Sequence, residues 1–145
     1  MTDQTPSIED RFAIQDLIGR FYWALDTGDV DGIVSAFADD GVMITGNGDR
    51  FTGRDELLRF ARHATGPGAA GRQHIGRPLY FLRNGDGWTL RSYLTILHFD
   101  QETGEKRIRG MAASDDTVVK TRDGWRFKER KNTNWTGKSL PWMGA

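Results

Sequence analysis

Asp26 and His74 are the residues of this chain with the most informative chemistry. Asp26 stands near the C-terminal end of a predicted amphipathic helix, and His74 stands at the start of a predicted strand. A carboxylate that accepts a hydrogen bond from an imidazole fixes the tautomer of the ring and stabilises its protonated form. Such a pair is a general base suited to neutral pH. The sequence therefore predicts proton abstraction, provided that folding brings the two side chains together.

The elements in the N-terminal half follow from the apolar pattern. Ser7 can cap a helix that runs from about residue 8 to about residue 27, with apolar residues on one broad face. A second helix is predicted over about residues 30–38 and a third over about residues 54–64. Between them, short apolar runs flank Gly46-Asn47-Gly48-Asp49, and Asn-Gly in this setting is a strong hairpin signal.

The C-terminal half has the composition of a meandering sheet. After a segment rich in glycine and proline at residues 65–71, four strand-like runs are separated by turn sequences at residues 84–87, 102–105 and 122–124. Tight turns favour antiparallel neighbours, so we expect a curved antiparallel sheet around the long first helix. The predicted order is α-α-β-β-α-β-β-β-β, which is an α+β fold in one domain over residues 1–145.

The amino-acid composition excludes some classes of binding partner and indicates a cellular compartment. Twenty basic and twenty acidic residues cancel, so no global field favours nucleic acid or an acidic membrane surface. No apolar run approaches the roughly 20 residues that span a bilayer, and the first residues lack the pattern of a signal peptide. With no cysteine there is no disulfide framework. We therefore expect a cytoplasmic protein.

Metal, cofactor and covalent chemistry have no motif here. The three histidines form neither an HxH nor an HExxH arrangement, and no glycine-rich phosphate loop joins a strand to a helix. Ser92 and Ser114 lack the surroundings of a catalytic serine. The sequence predicts no metal, no cofactor and no covalent intermediate.

Several short motifs together point to a family. They are Ala13-Ile14-Gln15-Asp16-Leu17, Leu25-Asp26 with Asp29 and Asp31, Phe37-Ala38-Asp39-Asp40-Gly41, Phe51-Thr52-Gly53-Arg54, Gln73-His74-Ile75-Gly76 and Asp123-Gly124-Trp125-Arg126-Phe127. With these motifs nearly the whole chain resembles the SnoaL-like group of the nuclear transport factor 2-like superfamily, which includes scytalone dehydratase, bile acid 7α-dehydratase and hexachlorocyclohexane dehydrochlorinase. The resemblance implies a cone-shaped, curved antiparallel sheet, a cystatin-like α+β roll, packed on a long N-terminal helix and two shorter helices.

The resemblance also implies roles for individual residues. His74 corresponds to the base that takes a proton from carbon, and Asp26 corresponds to the carboxylate that orients it. The polar helper of the dehydratases falls on Phe21, with Tyr22 one residue later and about 100° further round the helix. A second pocket histidine falls on His98, and a polar strand residue falls near Asp115.

Strand alternation leaves two of these placements open. It does not settle which face of its strand His98 occupies, nor whether Asp115 or the adjacent Asp116 points inward. A simple sheet position for His98 and a core position for Tyr22 are the plain alternatives to a catalytic role.

A hydrophobic pocket and an oligomer are further expectations. The residues expected to line the pocket are Phe21, Trp23, Met43, Phe60 and Trp135, with Trp135 and Trp142 as candidate lid residues. Apolar residues that four tightly turned strands cannot all bury inside predict a homodimer or homotrimer.

Two functions follow from these observations. The first is a cofactor-independent lyase of the dehydratase type, or an isomerase, that abstracts a proton from a hydrophobic cyclic, polyketide-like or steroid-like small molecule. The alternative is a noncatalytic ligand-binding or assembly module that resembles the small subunit of aromatic-ring dioxygenases. Phe21 at the helper position favours the second, whereas Asp26 and His74 favour the first.

Overall fold

A long helix, α1 (Ile8–Thr27), begins and ends as the sequence predicts. The computed structural model describes residues 5–136, with the side chains of residues 77–79 excepted. The Ser7 hydroxyl accepts a hydrogen bond from the backbone N–H of Asp10 at 3.1 Å, and Gly28 ends the helix in the left-handed conformation with φ 76°. Within residues 5–136, no helix is both long and apolar enough to cross a membrane.

Two shorter helices follow, α2 (Val30–Ser35) and α3 (Gly53–Ala64), and a 3₁₀ turn occupies Pro67–Ala69. The helix predicted over residues 30–38 is shorter than expected. The backbone carbonyl of Ala36 accepts the N–H of Phe127 at 2.9 Å, and pairing with that distant strand takes over from helix formation at this point.

Within the described residues, six strands form one sheet. They are β1 (Phe37–Ile44), β2 (Arg50–Thr52), β3 (Arg72–Asn84), β4 (Gly87–Phe99), β5 (Lys106–Thr121) and β6 (Gly124–Asn134). The predicted element order is confirmed, as are the Asn-Gly hairpin between β1 and β2 and the antiparallel meander from β3 to β6.

The pairing of β1 with β6 corrects the expectation of a wholly antiparallel sheet. The spatial order is β2-β1-β6-β5-β4-β3, and β1 runs parallel to β6. Tight turns fix the direction of strands that are consecutive in the sequence, but β1 and β6 come from opposite ends of the chain, so no turn constrains them. The curved sheet of the described residues remains open between β2 and β3, so it is not a closed barrel.

The core lies between α1 and the concave face of the sheet. Phe21 is its centre, and its ring packs edge-on against Phe37 and Phe127 at centroid distances of 5.7 and 5.5 Å. Edge-to-face aromatic packing of this kind stabilises a core beyond its buried area. The face of α1 that carries Phe21 therefore fixes the helix against the sheet and also fixes where the next residues of the helix point.

Two β-bulges change which side chains reach the concave face. In β5, Ile96 pairs with Gly110 and Leu97 pairs with Ile108, which leaves Arg109 as an extra residue. In β6, Thr117 pairs with Glu129 and Val118 pairs with Phe127, which leaves Lys128 as an extra residue. An extra residue bends the strand and re-aims neighbouring side chains, so simple alternation fails at both places.

Candidate active site

Asp26, at the end of α1, meets His74, at the start of β3. Nδ1 of His74 lies 2.6 Å from Oδ1 of Asp26, and the side chains are 11% and 20% exposed. The backbone N–H of His74 also donates to the two carboxylate oxygens, at 3.0 and 3.2 Å. An ionised carboxylate only accepts hydrogen bonds, so Nδ1 carries a hydrogen, and in the neutral form of the ring Nε2 has the free lone pair.

Tyr22 covers one face of the imidazole. The two rings are stacked with centroids 5.8 Å apart and planes 7° from parallel. Gly76 makes this placement possible, because a Cβ atom at that position would collide with the ring and hydroxyl of Tyr22. The glycine of the Gln73-His74-Ile75-Gly76 motif therefore provides space for a tyrosine from α1.

A buried guanidinium lies next to the dyad. Arg130 donates to Oδ2 of Asp116 at 2.8 Å and to the hydroxyl of Tyr22, and all three side chains are buried. Its carbon Cζ lies 4.9 Å from the ring centroids of both Phe21 and Tyr22 and 5.1 Å from that of Phe127. Aromatic faces and one carboxylate thus hold a full positive charge in the core.

Burial and charge shift the pKa values of this group of residues. Burial raises the pKa of Asp116 to about 6 although the Arg130 charge opposes it. Burial also raises the pKa of Tyr22, against the effect of Arg130. Burial by itself would lower the pKa of Arg130, but the nearby Asp116 raises it above its usual value, so the guanidinium is charged at neutral pH.

A cavity of about 500 Å³ connects these groups. One part of its wall is apolar and is formed by Phe21, Leu25, Met43, Phe60, Leu94 and Ile96. The other part is polar and is formed by Tyr22, Arg72, His74, Arg109, Arg130 and the amides of Asn47, Asn132 and Asn134. Such a mixed wall suits a ligand with a hydrocarbon body and a polar group.

Most of the predicted pocket residues do line this cavity. Phe21, Met43, Phe60 and Trp135 are in its wall, together with Tyr22 and His74. Asp26 lies behind His74, in an adjoining surface groove. This arrangement places the imidazole between the ligand space and the carboxylate that orients it.

Three predicted residues lie elsewhere, and Trp142 is outside the described residues. Trp23 is 71% exposed on the outer side of α1, because the core takes the face that carries Phe21. Asp115 points to the opposite face of β5 from the buried Asp116, with Arg91 3.9 Å away. His98 lines a separate groove, beyond the bulge that interrupts the β4–β5 register. We leave these three side chains out of the candidate site.

The sequence indicates that an inward aspartate needs His98 or an arginine as its partner, but it does not identify Arg130, nor Arg72 and Arg109, as residues of the site. Alternation counted from Phe127 would point Arg130 outward, and the extra residue Lys128 reverses this. The signal that was available is the acidic residue on β5, since a buried Asp requires a cation. Arg72 could have been found by counting two positions back from His74, along the same face of β3.

Comparisons with known proteins agree with this architecture. A family model described as a SnoaL-like domain matches residues 6–131. A solved protein of unknown function with a cystatin-like fold, from Nostoc punctiforme, is 28% identical, with a TM-score of 0.78 over 93% of this chain and 96% of that one. A nuclear transport factor 2-like protein with a cystatin-like fold, from Novosphingobium aromaticivorans, is 25% identical, with a TM-score of 0.78 over 91% and 86% of the two chains.

A third structure is similar in fold alone. It is a protein from Catenulispora acidiphila in complex with S-DNPA, 19% identical, with a TM-score of 0.78 over 88% of this chain and 95% of that one. The comparison with curated proteins found no match. On the family match over most of its length, the chain belongs to the SnoaL-like domain family, which includes polyketide cyclases and dehydratases and binds small hydrophobic ligands.

Proposed function

We propose that the protein is a cofactor-independent lyase of the dehydratase type, or an isomerase, with His74 as its base. The observation that carries this proposal is the 2.6 Å contact between Nδ1 of His74 and Asp26 at the wall of the cavity. Its substrate is a small hydrophobic cyclic molecule with an acidic C–H bond next to a carbonyl group. Polyketide-like and steroid-like compounds have this chemistry.

The first step is removal of that proton by Nε2 of neutral His74. The electron pair of the C–H bond moves toward the carbonyl group, and the charge that develops on the carbonyl oxygen needs a donor. Asp26 stabilises the imidazolium that forms and keeps the ring oriented, since its carboxylate accepts both the ring N–H and the backbone N–H of His74.

Tyr22 is the proposed donor to the developing oxyanion, and the buried Arg130 polarises its hydroxyl. Both line the cavity beside His74, and the guanidinium donates to the tyrosine hydroxyl, whose own hydrogen is then free to point at a ligand. A donor that is fixed in position before the reaction needs little reorganisation when charge develops. Tyr22 thereby replaces the polar helper that is missing at Phe21.

The proton removal produces an enolate, from which two reactions can follow. If a hydroxyl group is on the next carbon, the electron pair forms a C=C bond to that carbon, and the hydroxyl departs as water with the proton that His74 took up, which restores the neutral base. If the substrate has instead a C=C bond next to the deprotonated carbon, His74 returns the proton at the far end of the conjugated system and the double bond migrates. Elimination is the favoured outcome of the proposal, as in the dehydratases that the sequence resembles.

Hydrogen exchange in D₂O tests the shared first step. A panel of cyclic ketones, with and without a β-hydroxyl group, is incubated with the protein and followed by NMR for deuterium uptake and by absorbance for conjugated enones. We expect at least one member to exchange or eliminate with wild type and not with His74→Ala. Equal rates with the two proteins, or no exchange across the panel, would contradict the proposal.

Noncatalytic assembly is the second candidate function. The observation that favours it is a set of large apolar side chains left exposed on β3, β4 and β5 and just after β6, which a partner subunit could cover: Ile75, Tyr93, Phe99, Ile108, Met111 and Trp135. Under this alternative His74→Ala changes no turnover because there is none, and the protein co-purifies with a second kind of subunit.

A further inference from the structure

Two arginines in the cavity wall are not used by the proposed reaction. Arg72 lies two residues before His74 on the same face of β3, and Arg109 is the extra residue of the β5 bulge. Strict alternation would put Arg109 and Gly110 on opposite faces of the sheet, yet both line the cavity. The bulge therefore brings a second cation to the ligand space.

These two charges have no counterion of their own. No Asp or Glu is among the cavity-lining residues of the described part of the chain, and Arg130 is already paired with Asp116. Asp26 is the nearby carboxylate, but it already accepts the ring N–H and the backbone N–H of His74. Within residues 5–136, neither Arg72 nor Arg109 forms a salt bridge.

Arg72 is also incompletely bonded. Its Nε atom is buried and has no hydrogen-bond partner among the described residues. Burial and the charge of Arg109 lower the pKa of Arg72, while Asp26 opposes the shift, so the two guanidiniums are close enough to repel each other. An arrangement of this kind costs free energy in the empty protein and becomes favourable when an anion lies between the two cations.

We propose that the substrate is itself an anion, an apolar cyclic acid whose carboxylate is held by Arg72 and Arg109. The guanidinium fork matches the two oxygens of a carboxylate, and the apolar wall formed by Phe60, Leu94 and Ile96 covers the hydrocarbon body. Because Arg72 and His74 are neighbours on one strand face, the bound carboxylate sets the distance between the ligand body and the base. This inference rests on the proposed function only in assigning the same cavity to the substrate.

Matched acids and amides test the inference by binding alone. The probes are 2-naphthoate and biphenyl-4-carboxylate, each compared with its neutral primary amide by titration calorimetry. We expect at least one acid to bind wild type about tenfold or more tightly than its amide, which is the gain typical of a charge-assisted pair. Equal affinities, or no acid that binds better than its amide, would overturn the inference.

Substitutions test which side chains cause the preference for the acid over its amide. Arg72→Met and Arg109→Met should each reduce it, and the double variant should abolish it without weakening the amides. Arg107→Met is the matched control, because Arg107 is on the same strand two residues away and lines the separate groove. A preference that survives the double variant, or that Arg107→Met removes, contradicts the assignment.

Two further measurements show whether a change in the preference for the acid comes from altered folding or from catalysis. Neither methionine variant should lower Tm, because each removes a like-charge repulsion; Arg72→Lys keeps the charge without the fork and should retain part of the preference. The preference should persist in His74→Ala. If the preference persists and no substrate exchanges in D₂O, the anion site is supported and the catalytic proposal fails. If neutral ketones turn over and no acid is preferred to its amide, the catalytic proposal is supported and the anion site fails.

Discussion

The carboxylate of Asp26 holds His74 at two points, the ring Nδ1 at 2.6 Å and the backbone N–H at 3.0 Å. The first contact orients the imidazole that we propose as the base, and the second ties the start of β3 to the end of α1. A substitution at Asp26 can therefore act on the reaction and on the local fold, and experiments must keep the two apart.

Asp26→Asn should lower kcat by about two to four orders of magnitude on a substrate found in the exchange screen. An asparagine amide can donate to Nδ1, which moves the ring hydrogen to Nε2 and removes the basic lone pair, while its oxygen can still accept the backbone N–H. His74→Ala should abolish turnover, and the double variant should be hardly worse because the two residues act as one unit. Losses that multiply in the double variant would show that they act independently.

Arg130→Met should destabilise the fold by about 3–5 kcal/mol, because it leaves Asp116 buried without its counterion. Arg130→Met combined with Asp116→Leu should recover most of that free energy of unfolding, as measured by urea denaturation. If Arg130 polarises the Tyr22 hydroxyl for the oxyanion, the recovered fold should still lack activity. A stable double variant with wild-type turnover would mean that the guanidinium serves the core alone.

Gly76→Ala should reduce both stability and turnover. The added methyl group collides with Tyr22, so the phenol must leave either the imidazole or Arg130. Gly19→Ala on α1 is the control, since its Cβ atom meets nothing within 4 Å and alanine favours a helix by roughly 0.5–1 kcal/mol. Thermal unfolding and kcat/KM of the two variants check the prediction, and unchanged values for Gly76→Ala would contradict the assigned role of Tyr22.

Asp116 should give the stability a pH dependence opposite to that of an ordinary ion-paired acid. Its folded-state pKa, about 6, exceeds the usual 3.8, so between these values the folded chain keeps a proton that the unfolded chain has lost. Its contribution to the free energy of unfolding is therefore present at low pH and decreases as pH rises through that window. The Asp116→Asn variant has no group that titrates at this position, so its free energy of unfolding lacks this pH-dependent contribution.

Urea denaturation of wild type and Asp116→Asn at pH 4 and pH 7 measures this contribution. The free energy of unfolding of wild type minus that of the variant should decrease by on the order of 2–3 kcal/mol over this range. A difference that increases with pH would mean that Arg130 lowers the pKa of Asp116 instead.

The exposed apolar side chains on the sheet should form an interface between copies of the chain, and we expect a homodimer or homotrimer by light scattering at micromolar concentration. Ile108→Lys should shift the chain toward monomer, because Ile108 is 64% exposed in that set. Phe12→Lys, on α1 and equally exposed, should leave the assembly unchanged. A monomeric wild type would refute the prediction.

Local sequence signals were sufficient for most of the elements, whereas the dyad was predicted from the family resemblance. The Ser7 cap, the Gly28 stop and the turn glycines each act within a few residues, so helices and hairpins could be predicted from spacing. Asp26 and His74 could be paired because the motifs around them are similar to a family in which the pair is known. No local sequence signal predicts the pairing of β1 with β6, because the two strands come from opposite ends of the chain.

The side-chain composition of the cavity was harder to predict because it depends on strand phase. One extra residue at Lys128 puts Arg130 inside, and one at Arg109 adds a second cation to the wall. Alternation also could not decide between Asp115 and Asp116 until the register of β5 was fixed by its neighbours. Bulges are stabilised by contacts on both adjacent strands, which a single sequence does not display.

Because His74 is on an edge strand, the hydrogen bond between its backbone N–H and Asp26 has a second effect. β3 is the last strand of the sheet, and an outer strand with free N–H groups is a template on which another chain can add. The Asp26 carboxylate occupies the N–H of His74 just where a foreign strand would begin to pair. We therefore expect Asp26, the proposed partner of the base, also to hinder the addition of a second chain at the open border of the sheet.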